Sequence, residues 1–143
     1  MTVLLKRAAV LLCAPALALG LSACAATVST SGLTGDSKAA AEVIKDLQSN
    51  VTAGDNKKIC EKDLASAVVK KLASTSGGCQ EAVKKQLAEI DSVELTVESV
   101  KVSGTTASAK VKSIYSGKKK FSTMSLVNES TGSKSNWKIS SFS

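Results

Sequence analysis

The chain has 143 residues, no histidine and only 3% aromatic side chains, and its 19 Lys and Arg exceed its 12 Asp and Glu for a net charge of +7 at pH 7. Without histidine the commonest general base and metal ligand are missing. The one arginine, Arg7, lies close to the N-terminus, so the forked guanidinium on which phosphate and nucleic-acid modules rely is absent beyond it; no nucleic acid and no cofactor is expected, and the length suits one domain with one core.

Lys6 and Arg7 form a short basic region and are followed by Ala8 to Ala23 without a charge. A basic start and a short apolar run make an export signal, and the run is too short, and too broken by Pro15 and Gly20, for a permanent span of about 20 residues. The run ends in Leu21-Ser22-Ala23-Cys24. That quartet resembles the bacterial lipobox, whose cysteine receives a diacylglycerol before a peptidase cuts in front of it. The resemblance implies a signal peptide over residues 1–23, lipidation of Cys24, and a chain anchored to the extracytoplasmic face of the cell membrane. Two acyl chains make such an anchor stable where one would be marginal. The competing reading is an ordinary secretory signal, because Ala23 and Ala25 also form a small-x-small cleavage site.

Loss of the leader would take Lys6 and Arg7 with it and leave a net charge of +5, all of the positive charge being lysine. Lysines spread along helices and strands read as a solvated face, with a weak attraction to anionic headgroups natural for a tethered domain. Cys60 and Cys79 remain as an even pair, for which a disulfide is the expectation in an oxidising compartment. A redox pair or a metal site are the alternatives. The spacing is not Cys-x-x-Cys, and two thiols without histidine fall short of four ligands.

Residues 24–36 read as the lipidated cysteine and a small, polar linker, and residues 37–143 as an α+β domain. Asp36 and Ser37 open a helix with Val43, Ile44, Leu47 and Val51 on one face. Ala53 to Asp55 end it and start a short second helix that finishes near Cys60. Leu64, Val68 and Leu72 at steps of four make a third, stopped by Ser74 to Gly78, and a fourth begins around Cys79 with Val83, Leu87 and Ile90 inward. From Val93 the period alternates. Val93, Leu95 and Val97 share a face with Val100 and Val102 only if one residue is inserted near Glu98 and Ser99, which predicts a bulge. Ala107, Ala109 and Val111 form a second strand, where Ile114 falls out of phase and predicts a second bend. Phe121 to Glu129 and Asn136 to Phe142 complete four strands, with turns at Ser103-Gly104, Ser116-Gly117 and Thr131-Gly132. The expected fold is α+β, N-terminal helices packed on one face of a curved four-stranded antiparallel meander.

This order carries "AGD" and Cys60 after the first helix, Cys79 after a glycine turn, Val102 to Val111 as strand-turn-strand, and Trp137-Lys138-Ile139 in the last strand. It resembles the nuclear transport factor two-like, cone-shaped α+β superfamily, and the small actinobacterial lipoprotein domains that share it, over residues 37–143. The resemblance implies a cone whose interior is either filled or opened as a pocket. An open pocket would be lined by Val43, Leu47, Tyr115, Phe121, Met124 and Trp137 and would take an apolar ligand; the same residues equally make a plain core. Enzymes on similar folds use a carboxylate or histidine beside a tyrosine. Tyr115 is the one tyrosine here, and Glu42, Asp46, Glu94 and Glu98 alternate with apolar positions and should face solvent, so catalysis is not expected. Lys118, Lys119 and Lys120 are placed at a hairpin tip, either to touch an anionic surface or to protect a strand edge. The implied role is a non-catalytic binding or interaction module with a small apolar ligand or an envelope partner, the alternative being a scaffold with a filled core.

Overall fold

The computed structural model describes residues 30–88, 93–115 and 117–143, without the side chain of Tyr115. Helix α1, Gly35–Ala53, buries Ala40, Ala41, Ile44 and Leu47, a stripe at steps of one, three and three that fits one helical face. It starts slightly before the Asp36-Ser37 pair. Asp36 sits in its first turn and caps nothing; its carboxylate accepts from Ser135 Oγ and, at 3.4 Å, from Trp137 Nε1. Gly54, with φ 66°, ends the helix in a left-handed turn. There the amides of Gly54 and Asp55 satisfy the Val51 and Asn50 carbonyls.

The next segment differs from the periodic reading. Helix α2 is a single turn, Asn56–Lys58, capped by Asp55 Oδ1 accepting from the Lys58 amide at 3.0 Å. It runs into a π-helical turn, Ile59–Asp63, rather than ending near Cys60. Leu64 then leaves the helical path, and its extended backbone forms a parallel bridge to Ile139. The Ala65 amide donates to the Ile139 carbonyl at 2.8 Å. Leu64 is therefore buried by the sheet edge, and helix α3 spans only Ser66–Ala73. Glu129 caps α3, its two oxygens accepting from the Ser66 amide and hydroxyl at 2.7 Å each. Helix α4, Gly78–Leu87, follows Gly77 and opens on Gly78, both of positive φ. A Cβ on Gly77 would come within 2.8 Å of the Glu81 side chain, so that position requires glycine. Cys79 in the first turn of α4 is bonded to Cys60 in the π-turn, with Cα atoms 6.2 Å apart. Val83 is buried and Leu87 half-buried, while Ile90 lies outside the described residues.

The strands are β1 Glu94–Ser103, β2 Thr106–Tyr115, β3 Lys118–Asn128 and β4 Trp137–Phe142, antiparallel in the order β1-β2-β3-β4. The β1 register shifts between Val97 and Ser99, so the bulge is where the alternation requires it. The second bend is elsewhere. Strand β2 pairs without interruption through Ile114 on both sides, which simply places Ile114 on the face away from the helices. The second shift is between Ser125 and Leu126, where Ser140 of β4 is the extra residue and its hydroxyl donates to the Ser125 carbonyl at 3.0 Å. The buried core lies between helices and sheet, and all its members fall between Ala40 and Ile139.

Candidate functional site

Side-chain parity decides what enters the cone. Met124 and Leu126 pair with Ala109 and Ala107 and face the helices. Phe121 lies three residues before Met124 on an unbroken strand, so the two occupy opposite faces. Phe121 is 65% exposed on the outer face and is no part of a pocket. Trp137 at 2%, Met124 at 4% and Leu47 at 7% exposure belong to one packed cluster with Ile44, Leu126 and Ile139, and Val43 packs against it half-buried. The structure thus brings together Val43, Leu47, Met124 and Trp137 as core, with the indole N–H taken by Asp36. Tyr115 ends β2, and its side chain lies outside the described residues.

A polar group missing from the sequence reading lies beside this core. Asp63 is 1% exposed, and its Oδ2 accepts from Asn50 Nδ2 at 2.8 Å. Burial pushes its carboxyl above the ordinary range, against the lowering effect of the Asn50 hydrogen bond. Lys138 is buried nearby, and its ammonium donates to the carbonyls of Lys62 and, at 3.4 Å, Glu61. Burial holds Lys138 below the usual lysine range, opposed chiefly by the Asp63 charge. These contacts tie the π-turn to α1 on one side and to β4 on the other. Sequence spacing gave no sign of it, because the wider i to i+5 turn, closed by the Leu64 amide on the Ile59 carbonyl, rotates Asp63 inward. Among the carboxylates expected at the surface, Asp46, Glu94 and Glu98 are exposed, while Glu42 is half-buried and accepts from Thr30 Oγ1 at 3.5 Å. Asp63 does not sit beside the tyrosine. Lys138 pairs with Val127, nine positions along β3 from Lys118, the partner of Tyr115.

An open cleft of about 530 Å³ lies over the disulfide, lined among others by Cys60, Val69, Gly77, Cys79 and Glu81. Its lining comes from the π-turn, α3 and the turn into α4. Among the described residues no cluster of three His, Cys, Asp or Glu is placed to hold a metal ion, and no helix is long and apolar enough to cross a membrane. Cys24 and the run before it lie outside the described residues.

Lys118, Lys119 and Lys120 lie at the end of the β2–β3 hairpin, and β3 starts with them rather than at Phe121, pairing them with Tyr115, Ile114 and Ser113. Alternation puts Lys119 on the outer face with Phe121, and Lys118 and Lys120 on the helix side. All three are exposed, so the end of this hairpin projects beyond the helical layer.

No family profile matches the chain, and no curated protein matches it. A solved chain bearing the name Rd1NTF2_05, with five substitutions, is similar at 18% identity over 73% of this chain and 94% of its own, with a TM-score of 0.43. A likeness of that size carries no weight, and the fold rests on the strand order and register given above.

Proposed function

We propose that this chain is a lipoprotein held to the extracytoplasmic face of the cell membrane through Cys24, and that its α+β domain acts there as a non-catalytic interaction module working through its surface. The anchor reading is supported by the Leu21 to Cys24 quartet behind an uncharged run. The observation that carries the interaction reading is the packing of Trp137, Met124 and Leu47 into one core cluster with Ile44 and Ile139. Side chains that would line an apolar pocket are spent on holding helices to sheet. The non-catalytic reading is supported by Asp63, a buried carboxylate whose hydrogen bond to Asn50 and distance along the sheet from Tyr115 suit a structural pin.

Two measurements test this. Cells fed a clickable palmitate analogue should label the wild-type chain and not Cys24→Ser, and the N-terminal peptide of the mature protein should begin at a diacylglyceryl-modified Cys24. An unmodified thiol there, or a mature chain starting elsewhere, overturns the anchor. Native mass spectrometry of the purified domain should show the bare polypeptide mass; a stoichiometric apolar adduct that survives desalting would overturn the filled interior and restore the carrier reading.

A further inference from the structure

The outer face of the sheet is basic in a way that edge protection does not explain. Alternation places Lys101 of β1, Lys110 and Lys112 of β2, and Lys119 of β3 on the face turned away from the helices, alongside Ser108, Thr123 and Ser125. Lys112 is half-buried and the other three lysines are exposed; among the described residues none of the four pairs with a carboxylate. Lysines that guard a sheet against aggregation belong on edge strands. Strand β2 is paired on both sides along its length, so Lys110 and Lys112 guard no edge; Lys119 stands on the start of β3, which β4 does not reach. Glu94 and Glu98 of β1 lie on the same face, so its four lysines leave it net positive by two.

Phe121 stands at one side of this charge, on the stretch of β3 that β4 does not reach. It pairs with Lys112 and follows Lys119 by two positions on the same face, with Ile114 beside Lys119. One exposed aromatic flanked by lysines is too small an apolar patch for the core of a protein interface. It is the pattern of an interfacial anchor: a ring that enters the headgroup layer while long cationic side chains spread to the phosphates.

We infer that the outer face of the sheet docks on an anionic lipid bilayer, with Phe121 inserted and Lys101, Lys110, Lys112 and Lys119 on the headgroups. The contact cooperates with the Cys24 anchor proposed above. From Cys24 to Thr30 is six residue steps, at most about 21 Å of extended chain. Thr30 is bonded to Glu42 in the helical layer, so a leash of this length keeps the domain close to the bilayer that would hold Cys24. Anchor and face then hold the same membrane, each raising the effective concentration of the other.

The test uses purified residues 24–143 carrying Cys24→Ser, a chain that contains the whole core and the disulfide, so that no acyl chain contributes. Vesicles of phosphatidylglycerol and phosphatidylcholine are sedimented with it at low and high salt. Binding is expected on anionic vesicles and lost in high salt. The triple change Lys110→Gln, Lys112→Gln and Lys119→Gln should lower the partition coefficient roughly 100-fold, at about fivefold per lysine near an anionic surface. The helix-layer triple Lys70→Gln, Lys71→Gln and Lys84→Gln, with the same loss of charge, should lower it only a few-fold, and Phe121→Ser should lower it about tenfold at unchanged charge. Each variant is melted first to confirm wild-type folding. Equal losses in the two triples, binding to soluble polyphosphate but not to vesicles, or no vesicle binding at all would each overturn the docking face. None of these outcomes touches the acylation of Cys24, which the labelling experiment decides separately.

Discussion

Opening the Cys60–Cys79 bond asks what holds α4 to the domain. Helix α4 packs chiefly on α2, α3 and the π-turn, so its link to the sheet passes through other helices. The two cysteines are 19 residues apart. In the chain-entropy account a loop of that length removes about 11 cal/mol/K from the unfolded ensemble, which is about 3 kcal/mol at 25 °C. Both cysteines are buried, so alanine is the better replacement, since serine would bury a hydroxyl. With about 4 °C per kcal/mol for a domain of this size, Cys60→Ala with Cys79→Ala should melt about 12 °C below the oxidised protein by far-UV circular dichroism. The wild type under reducing conditions should fall by a similar amount without losing an atom from its core. Because the effect is on the unfolded chain, the native spectrum should be unchanged and the urea m-value should rise as the unfolded ensemble expands. A fall of less than about 3 °C with an unchanged m-value would refute the loop argument. A larger fall with lost helicity would show that the bond organises native packing.

Three further outcomes follow from particular contacts. Glu129→Gln keeps one acceptor for Ser66 but loses the charge at the start of α3, and should cost about 1 kcal/mol in urea unfolding; a change under about 0.3 kcal/mol would mean that solvent caps the helix equally well. The raised Asp63 carboxyl means that the folded state holds this proton more tightly than the unfolded chain does. Its contribution is present at low pH and lost as pH rises through the folded value. Asp63→Asn, which keeps an acceptor for Asn50, should therefore gain stability relative to wild type from pH 4 to pH 7, and a flat or opposite difference would contradict the assignment. Met124→Ala on the inner face should cost about 2–5 kcal/mol, whereas Phe121→Ala on the outer face should stay within about 0.5 kcal/mol; similar costs for the two would mean that the strand parity is misread.

Much of this fold is written in local pattern. The three- and four-residue spacing of Val43, Ile44, Leu47 and Val51, the alternation of Leu95 and Val97, and the phase slip before Val100 encode in turn a helix, a strand and a bulge within a few residues, because backbone geometry and the burial of one face act over that range. The lipobox-like quartet and the missing histidine likewise narrow function from the sequence alone. What escaped that reading depends on partners far along the chain. Leu64 fits a helical spacing but takes an extended backbone against Ile139, Asp63 belongs to no local pattern and is turned toward Asn50 by a π-turn, and α3 takes its cap from Glu129, which is 63 residues away. Phe121 and Met124 were expected to line one pocket, but three residues apart on an unbroken strand they occupy opposite faces, and only Met124 is buried. The sequence by itself determined the order of elements, the cysteine pair and the kind of chemistry available, since those follow from residue type and short spacing. Only the tertiary structure decided which aromatic is core, which carboxylate is buried and which lysines share a face, since each of these is settled by strand register and burial between segments that the sequence keeps apart.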